Sequence, residues 1–370
     1  MVSASQSEPE RAADGLRQAL YALWRFGSNA LVGWTESGQG IEVLTVPKIR
    51  LFAGKSAPRR VFSGERRMGR STFAAVGRFL EAQPIELRLA LPVGGGPDEL
   101  SAETVERIFI AFAVTKTEQR AVFLIDIVGF SKILPEQQAS QLSTLEFALN
   151  ITGETARTHG VHLTMRRSTT GDGFYVWNAN KGTVGDEDLF IGLILFLVFH
   201  STLRRSVTLP EAVPVIRISA GVGSHYTYRE PRLAGAESQE FIVGEVTISL
   251  ARLIGATRAN QILIGDFRRI DDETHQALSL EAFLERVFER LTFFSAVTMP
   301  GGRVEKIASY LTGPKRPDGS YLVQRLRVVD KHGYEHQCCN LKVNIFPTSG
   351  EPYYCGLQHE ELVKLARRAS

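Results

Sequence analysis

Phe123–Ser131 reads FLIDIVGFS, and Thr169–Trp177 reads TTGDGFYVW. In the first, Asp126 closes a dense apolar run that predicts a buried strand over Ala121–Ile127, and Gly129 follows three residues later. In the second, Asp172 lies between Gly171 and Gly173, which lets the backbone turn sharply. A lone carboxylate at either place is costly to desolvate. Two brought together make a hard oxygen site suited to magnesium or manganese, and paired cations are common equipment for phosphoryl chemistry. Taken singly, the first motif is better read as a strand end with a capping aspartate, and the second as a plain hairpin turn. The two in this order point to chemistry.

The surrounding pattern extends the reading. A helix is predicted over Gln137–Thr158, and a hairpin from Val161–Ser168 to Gly173–Trp177. A buried helix follows over Asp186–Leu203; its apolar run LFIGLILFLVF is too short to span a bilayer. A strand over Val215–Val222, a glycine-closed helix over Glu245–Gly255 and a strand over Gln261–Ile264 complete an alternation that predicts an α/β layer sandwich. In this arrangement the Asp126 carboxylate and the Ile127 carbonyl can face a metal. The amides of Val128, Gly129, Phe130 and Ser131, at a helix start, can meet phosphate oxygens. Arg217 is expected on a neighbouring strand, as an edge charge or as a bidentate partner for a polyphosphate. Arg252 is expected on the amphipathic helix, where a solvated outer charge is as good a reading as a functional one.

Residues 1–14 are expected to be disordered, followed by a helix carrying Leu16, Leu20, Leu23 and Trp24. Ile41–Leu51 reads as a strand pair broken at Pro47, Ser71–Leu80 as a helix, 91–100 as a loop, and Ser101–Ala113 as a helix. A helix over Ser279–Leu291 precedes strands at Tyr321–Val329, Asn340–Phe346 and Tyr353–Leu357, expected to form a separate β-rich module. The chain has 370 residues, 44% hydrophobic and 22% charged, with 43 basic against 40 acidic residues for a net charge of +3. That length suggests two or three domains, and that balance argues against nucleic-acid or membrane binding. The N-terminus lacks the apolar core of a signal peptide. Three cysteines, two of them adjacent (Cys338, Cys339, Cys355), suggest a reducing, cytoplasmic setting. They read as buried small hydrophobes rather than, with His332 and His336, a zinc site.

Together, FLIDIVGFS, TTGDGF, RISAGVG around Arg217 and GEVTISLARLIGATRANQILIGD around Arg252 resemble the catalytic domain of the class III nucleotidyl cyclases, over roughly Ala121–Phe267. The resemblance implies a ferredoxin-like layered sandwich at 113–275, with an N-terminal mixed region at 1–112 and a small β-rich, sensor-like module at 276–370. It implies two divalent cations (manganese or magnesium) on Asp126, Ile127 and Asp172, and a triphosphate held by Arg217. Arg252 would be the transition-state arginine, supplied across a homodimer interface. The product would be a 3′,5′-cyclic nucleotide.

The base-reading positions depart from the family. Ser168 stands where adenylate cyclases carry a lysine, Phe241 where they carry an aspartate, and Ile248 where the family has an asparagine. An intact metal set with a rewritten base set points to a changed base. A pocket with Phe241 and Ile248 suits a smaller ring, with Ser168 or a nearby arginine at its edge. The C-terminal stretch DKHGYEHQCCNLKVNIF is similar to sensor domains of anti-phage cyclases. The whole then resembles the pyrimidine cyclases of the Pycsar anti-phage system, which make cyclic UMP or cyclic CMP for a separate effector. An ordinary adenylate or guanylate cyclase and a non-catalytic nucleotide-binding regulator are the rival readings.

Overall fold

The structure, a computed structural model, describes residues 7–367 apart from 54–61, 63, 95, 97–98, 209, 230–238, 293–297, 300–301 and 331. It divides into two compact units, Met1–Thr117 with Tyr226–Ile242, and Glu118–His225 with Val243–Ser370.

The first unit contains α1 (Glu8–Trp24), β1 (Asn29–Ser37), β2 (Gly40–Pro47), α2 (Lys48–Ala53), α3 (Arg70–Leu80), β3 (Pro84–Arg88) and α4 (Ala102–Ile110). The strands form one antiparallel sheet in the order β1-β2-β3. Alternation sends Trp34, Ile41 and Val43 to one face, against Leu16 and Leu20 of α1 and Phe109 of α4. Val32, Leu44 and Val46 go to the other, against Phe73 of α3, the register shift between Leu31 and Gly33 reversing the parity of β1 before Trp34. Two expectations change here and one holds. The disorder expected up to residue 14 gives way at Glu8 to a helix whose N-cap backbone bonds Glu10, while residues 1–6 lie outside the described part. Ile41–Leu51 is one strand followed by a helix, because the partners of β2 come from β1 and β3. The loop expected over 91–100 is found in its described residues.

The second unit takes β4 (Thr115–Ile127) from Glu118 on, then α5 (Pro135–Thr158), β5 (Met165–Thr169), β6 (Gly173–Asn178), α6 (Gly182–Ser206) and β7 (Ile216–Arg229) as far as His225. Their sheet order β7-β4-β6-β5 is that of a split βαβ, ferredoxin-like core, so the α/β sandwich is as expected. After β8 (Glu240–Val243), which up to Ile242 belongs to the first unit, come α7 (Glu245–Ala256), β9 (Ile262–Gly265), β10 (Arg268–Ile270), β11 (Ala277–Ser279) and α8 (Leu280–Leu291). The chain ends with β12 (Thr298–Met299), β13 (Gly302–Leu311), β14 (Arg325–Val329), β15 (Glu335–Pro347), β16 (Tyr353–Cys355) and α9 (His359–Arg367). Strand β9 runs parallel to β7, and β15 pairs antiparallel with β9. The C-terminal strands therefore extend the same sheet, where a separate module had been expected. Cys338 and Cys339 are fully buried in it and act as apolar filler.

α6 is buried along nearly its whole length. The acids of its second turn are buried too: Asp186 meets Arg269 at 2.6 Å and the Ala121 amide at 2.6 Å. Glu187 meets Arg286 at 2.8 Å and Arg290 at 3.0 Å, and Arg290 also pairs with Asp188. Near its other end, burial and the charge of Arg204 lower His200 from 6.5 to about 4, while its Nε2 lies 3.0 Å from the Pro214 carbonyl.

Because His200 is harder to protonate folded than unfolded, its contribution is fully present above pH 6.5 and is lost as pH falls towards 4. A shift of this size corresponds to about 3 kcal/mol. Burial raises Asp186 to about 6, which opposes the trend in the same window. The difference between wild type and His200→Gln isolates the histidine. Urea midpoints for the pair should converge as pH falls from 6.5 to 4; a constant gap would contradict the assignment.

Candidate functional site

Sequence register brings the two motifs together. Asp126 pairs across the sheet with Gly173, next to Asp172, and the Ile127 amide donates to the Asp172 carbonyl at 2.9 Å. Gly173 has to be glycine, since a methyl there would run into the Ile125 carbonyl oxygen. Gly171 (φ +100°) and Gly129 (φ +76°) supply the left-handed turns on either side. Ala121, Phe123, Ile125 and Ile127 point into the core with α5 and α6. Alternation then puts Asp126 on the opposite face, and leaves Ile127 only its backbone carbonyl to offer a ligand.

Asp126 is buried, and its carboxylate bonds the Arg217 Nε at 2.6 Å. Arg217 also donates to the Thr257 carbonyl at 3.2 Å, at the end of α7. Burial raises the Asp126 carboxyl above its ordinary range, Arg217 pulls it back, and nearby Asp172 adds to the rise. Asp172 is half-buried and accepts from the Thr170 hydroxyl at 3.2 Å. Two facing carboxylates with a backbone carbonyl form an all-oxygen donor set that fits magnesium or manganese, whose remaining positions water and phosphate can fill. Among the described residues no group of three or more His, Cys, Asp or Glu could hold a metal ion.

The expected phosphate loop is only partly as anticipated. The Val128 amide is already bonded to the Val215 carbonyl at 2.9 Å, which removes it from the set. Val128, Gly129 and Ser131 are exposed, whereas Phe130 packs against the core. The amides of Gly129, Phe130 and Ser131 find no backbone acceptor among the described residues. They open a single 3-10 turn, Phe130–Lys132, and the long helix starts only at Pro135.

Ser168 pairs with Tyr175, which pairs in turn with Leu124, so the serine shares the Asp126 face two strands away. Arg166 shares that face by alternation. Tyr175, which the sequence did not single out, donates to the Thr247 carbonyl of α7 at 3.0 Å. Ile248 and Arg252, one turn apart, occupy the outer side of α7; Ile248 is 49% exposed. Phe241 belongs to the first unit, where it stacks on Tyr228 at 5.2 Å.

Arg252 is not a free charge. Its Nε lies 3.1 Å from the Asp330 carboxylate, and its guanidinium lies 5.4 Å from the Tyr334 ring centre. Burial alone would raise Asp330. The amides of Tyr334 and His332, the His336 ring and the Arg252 charge outweigh it and hold the group at about 2. A single aspartate in the turn between β14 and β15 carries no sequence signal for this role.

No protein-family model matches the chain, and no curated protein matches it in sequence. Among solved structures, the guanylate cyclase domain of RhGC from Catenaria anguillulae, in complex with GTP, aligns at TM-score 0.36 with 14% identity, covering 61% of this chain and 97% of that one. The adenylyl cyclase CyaB from P. aeruginosa aligns at 0.34 with 15% identity, covering 62% and 95%. The guanylyl cyclase domain of the RhoGC fusion protein from Blastocladiella emersonii aligns at 0.35 with 15% identity, covering 61% and 97%. These likenesses are too distant to argue from.

Gly173→Ala should lower stability by about 2 kcal/mol or more by forcing the strand pair apart. Gly221→Ala on β7, where the nearest neighbour of an added methyl is Leu250 at 3.7 Å, should cost far less. Thermal midpoints of the two variants compare them directly; equal losses would mean that the Asp126–Gly173 register is wrong.

Proposed function

We propose that the chain is a nucleotidyl cyclase that closes a pyrimidine nucleoside triphosphate, UTP foremost, to its 3′,5′-cyclic monophosphate with release of pyrophosphate. The observation that carries this reading is the meeting of Asp126 and Asp172 on one sheet face with Arg217 seated on Asp126. The sequence resemblance of the four motifs supports it.

In the reaction, the 3′-oxygen loses its proton and attacks the α-phosphorus, and the bond from that phosphorus to the bridging oxygen of the β-phosphate breaks in line. Two divalent cations bound by Asp126, Asp172 and the Ile127 carbonyl would lower the hydroxyl pKa and offset the triphosphate charge. The amides of Gly129, Phe130 and Ser131 would receive phosphate oxygens. Arg217, once Asp126 turns to its metal role, presents a fork to the same phosphates. Arg252, on the outer face of α7, would leave its pair with Asp330 to act at the site of a second copy and stabilise charge on the departing group. Ile248 beside it, 49% exposed, suits such an interface.

A changed base follows from the same positions. Ser168 offers a short hydroxyl where a purine-reading lysine would reach in, and Ile248 offers apolar surface. CTP is the second substrate to test. By the resemblance of its C-terminal stretch, the product would serve as an anti-phage signal for a separate effector.

The decisive experiment incubates the full chain with manganese and each of the four ribonucleoside triphosphates, with products identified by mass spectrometry. Cyclic UMP is expected. Cyclic AMP or cyclic GMP would retire the pyrimidine reading, and no product from any of the four would retire the enzyme. Asp126→Asn and Asp172→Asn should each lower turnover by about a hundredfold or more with the circular dichroism spectrum unchanged. Ser168→Ala should change the ratio of UTP to CTP turnover more than the total; an unchanged ratio removes Ser168 from the base pocket.

A further inference from the structure

On the face of the sheet opposite Asp126, the second unit holds a cavity of about 460 Å³ that no part of the proposed reaction uses. Its floor is apolar, made by Leu197 of α6 with Ile216 and Ile218 of β7. Its walls carry Arg204 and Arg205 from the last turn of α6 and Lys342 from β15. Tyr353 and Tyr354 add two rings.

The charges of this cavity are not balanced from within. None of the three cations forms an ion pair with a described carboxylate. Arg205 donates to the Glu351 and Pro352 carbonyls at 2.9 and 2.8 Å and lies 4.0 Å from the Tyr353 ring centre. Arg204 reaches the Asn260 amide oxygen only at 3.5 Å. Lys342 is 4% exposed, and its ammonium donates to the Gly356 carbonyl at 2.6 Å. An ammonium has three protons to donate, so a buried one with a single carbonyl partner is underused. The one acidic side chain lining the cavity is the exposed Glu361. Two positive charges remain in excess, and His200, lowered to about 4, adds none at neutral pH.

A lysine kept only to cap Gly356 would explain one of these cations. It would not explain two arginines beside it that have no carboxylate partner among the described residues, above an apolar floor and near two tyrosines. A volume of this size lies in the range of about 300–1,000 Å³ typical of small-molecule sites.

We propose that the cavity binds a phosphate monoester of mononucleotide size: a dianionic head against Arg204, Arg205 and Lys342, and a flat or apolar body over Ile216, Ile218 and the tyrosines. A nucleoside monophosphate and a sugar phosphate share this chemistry, and the test separates them.

The experiment is isothermal titration calorimetry on the full chain in EDTA, which silences any metal-dependent site. The probes are uridine monophosphate, adenosine monophosphate, ribose 5-phosphate and inorganic phosphate. At least one ester should bind more tightly than inorganic phosphate. A nucleotide preference identifies stacking on the tyrosines, and equal binding of ribose 5-phosphate identifies a sugar phosphate site. Arg204→Gln and Lys342→Met should each weaken that binding at least tenfold, whereas Asp126→Asn should leave it unchanged. Arg204 is only half-buried, so its variant reads the site even if Lys342→Met fails to fold. No heat from any probe at millimolar concentration overturns the proposal. So does binding insensitive to Arg204→Gln, or inorganic phosphate binding as tightly as the esters.

Discussion

The burial of α6 is the constraint on which the second unit depends. A helix with Leu, Ile, Phe and Val on every side cannot rest on one sheet and leave its back in water. The sheet covers one side through Ile125, Val176 and Ile218, and α5 covers another through Leu145 and Leu149. What remains is closed by Phe283 and Val287 of α8 and, near the far end, by β16, whose Cys355 thiol lies 2.9 Å from the Ser201 hydroxyl. The C-terminal segment is thus needed to finish the core begun by β4. This is why its strands join the main sheet and share one unit with it.

The same helix imposes an electrostatic condition at its start. Asp186, Glu187 and Asp188 lie in its second turn, past the terminal amides, and burial strips them of water. Arg269, Arg286 and Arg290 answer them from β10 and α8. Removing one arginine would leave an uncompensated buried carboxylate, so these pairs tie the later elements to the helix even if they contribute little net stability.

Local pattern made most of the second unit legible. β4, β6, α5 and α6 follow from apolar density, periodicity and the glycines around Asp172. The meeting of Asp126 with Asp172 was legible because glycine spacing fixes the turn. Pairings between distant segments were not. Nothing in Cys338–Asn340 announces β9 as its partner, and nothing near Asp330 announces Arg252. In the first unit, β1 escaped because its register shifts between Leu31 and Gly33, which breaks the alternation that marks a strand. The Val128 amide looked free in sequence because its acceptor, Val215, lies in a segment that comes alongside only in the folded sheet.

Ile216, Arg217 and Ile218 connect the two faces of this unit. The alternation that aims Arg217 at Asp126 necessarily aims its neighbours at the cavity beyond the sheet. Sliding β7 by one residue would exchange them, placing isoleucine beside a buried carboxylate and arginine on the apolar floor. Each misplacement is costly alone, and both occur together, so the register of β7 is fixed from two sides. The parallel pairing of Ile218 with Ile262, and the bond from the Ser219 hydroxyl to the Leu250 carbonyl at 3.0 Å, hold the strand in that register. Arg217 therefore gains its position from a strand whose other face is packed for a different purpose.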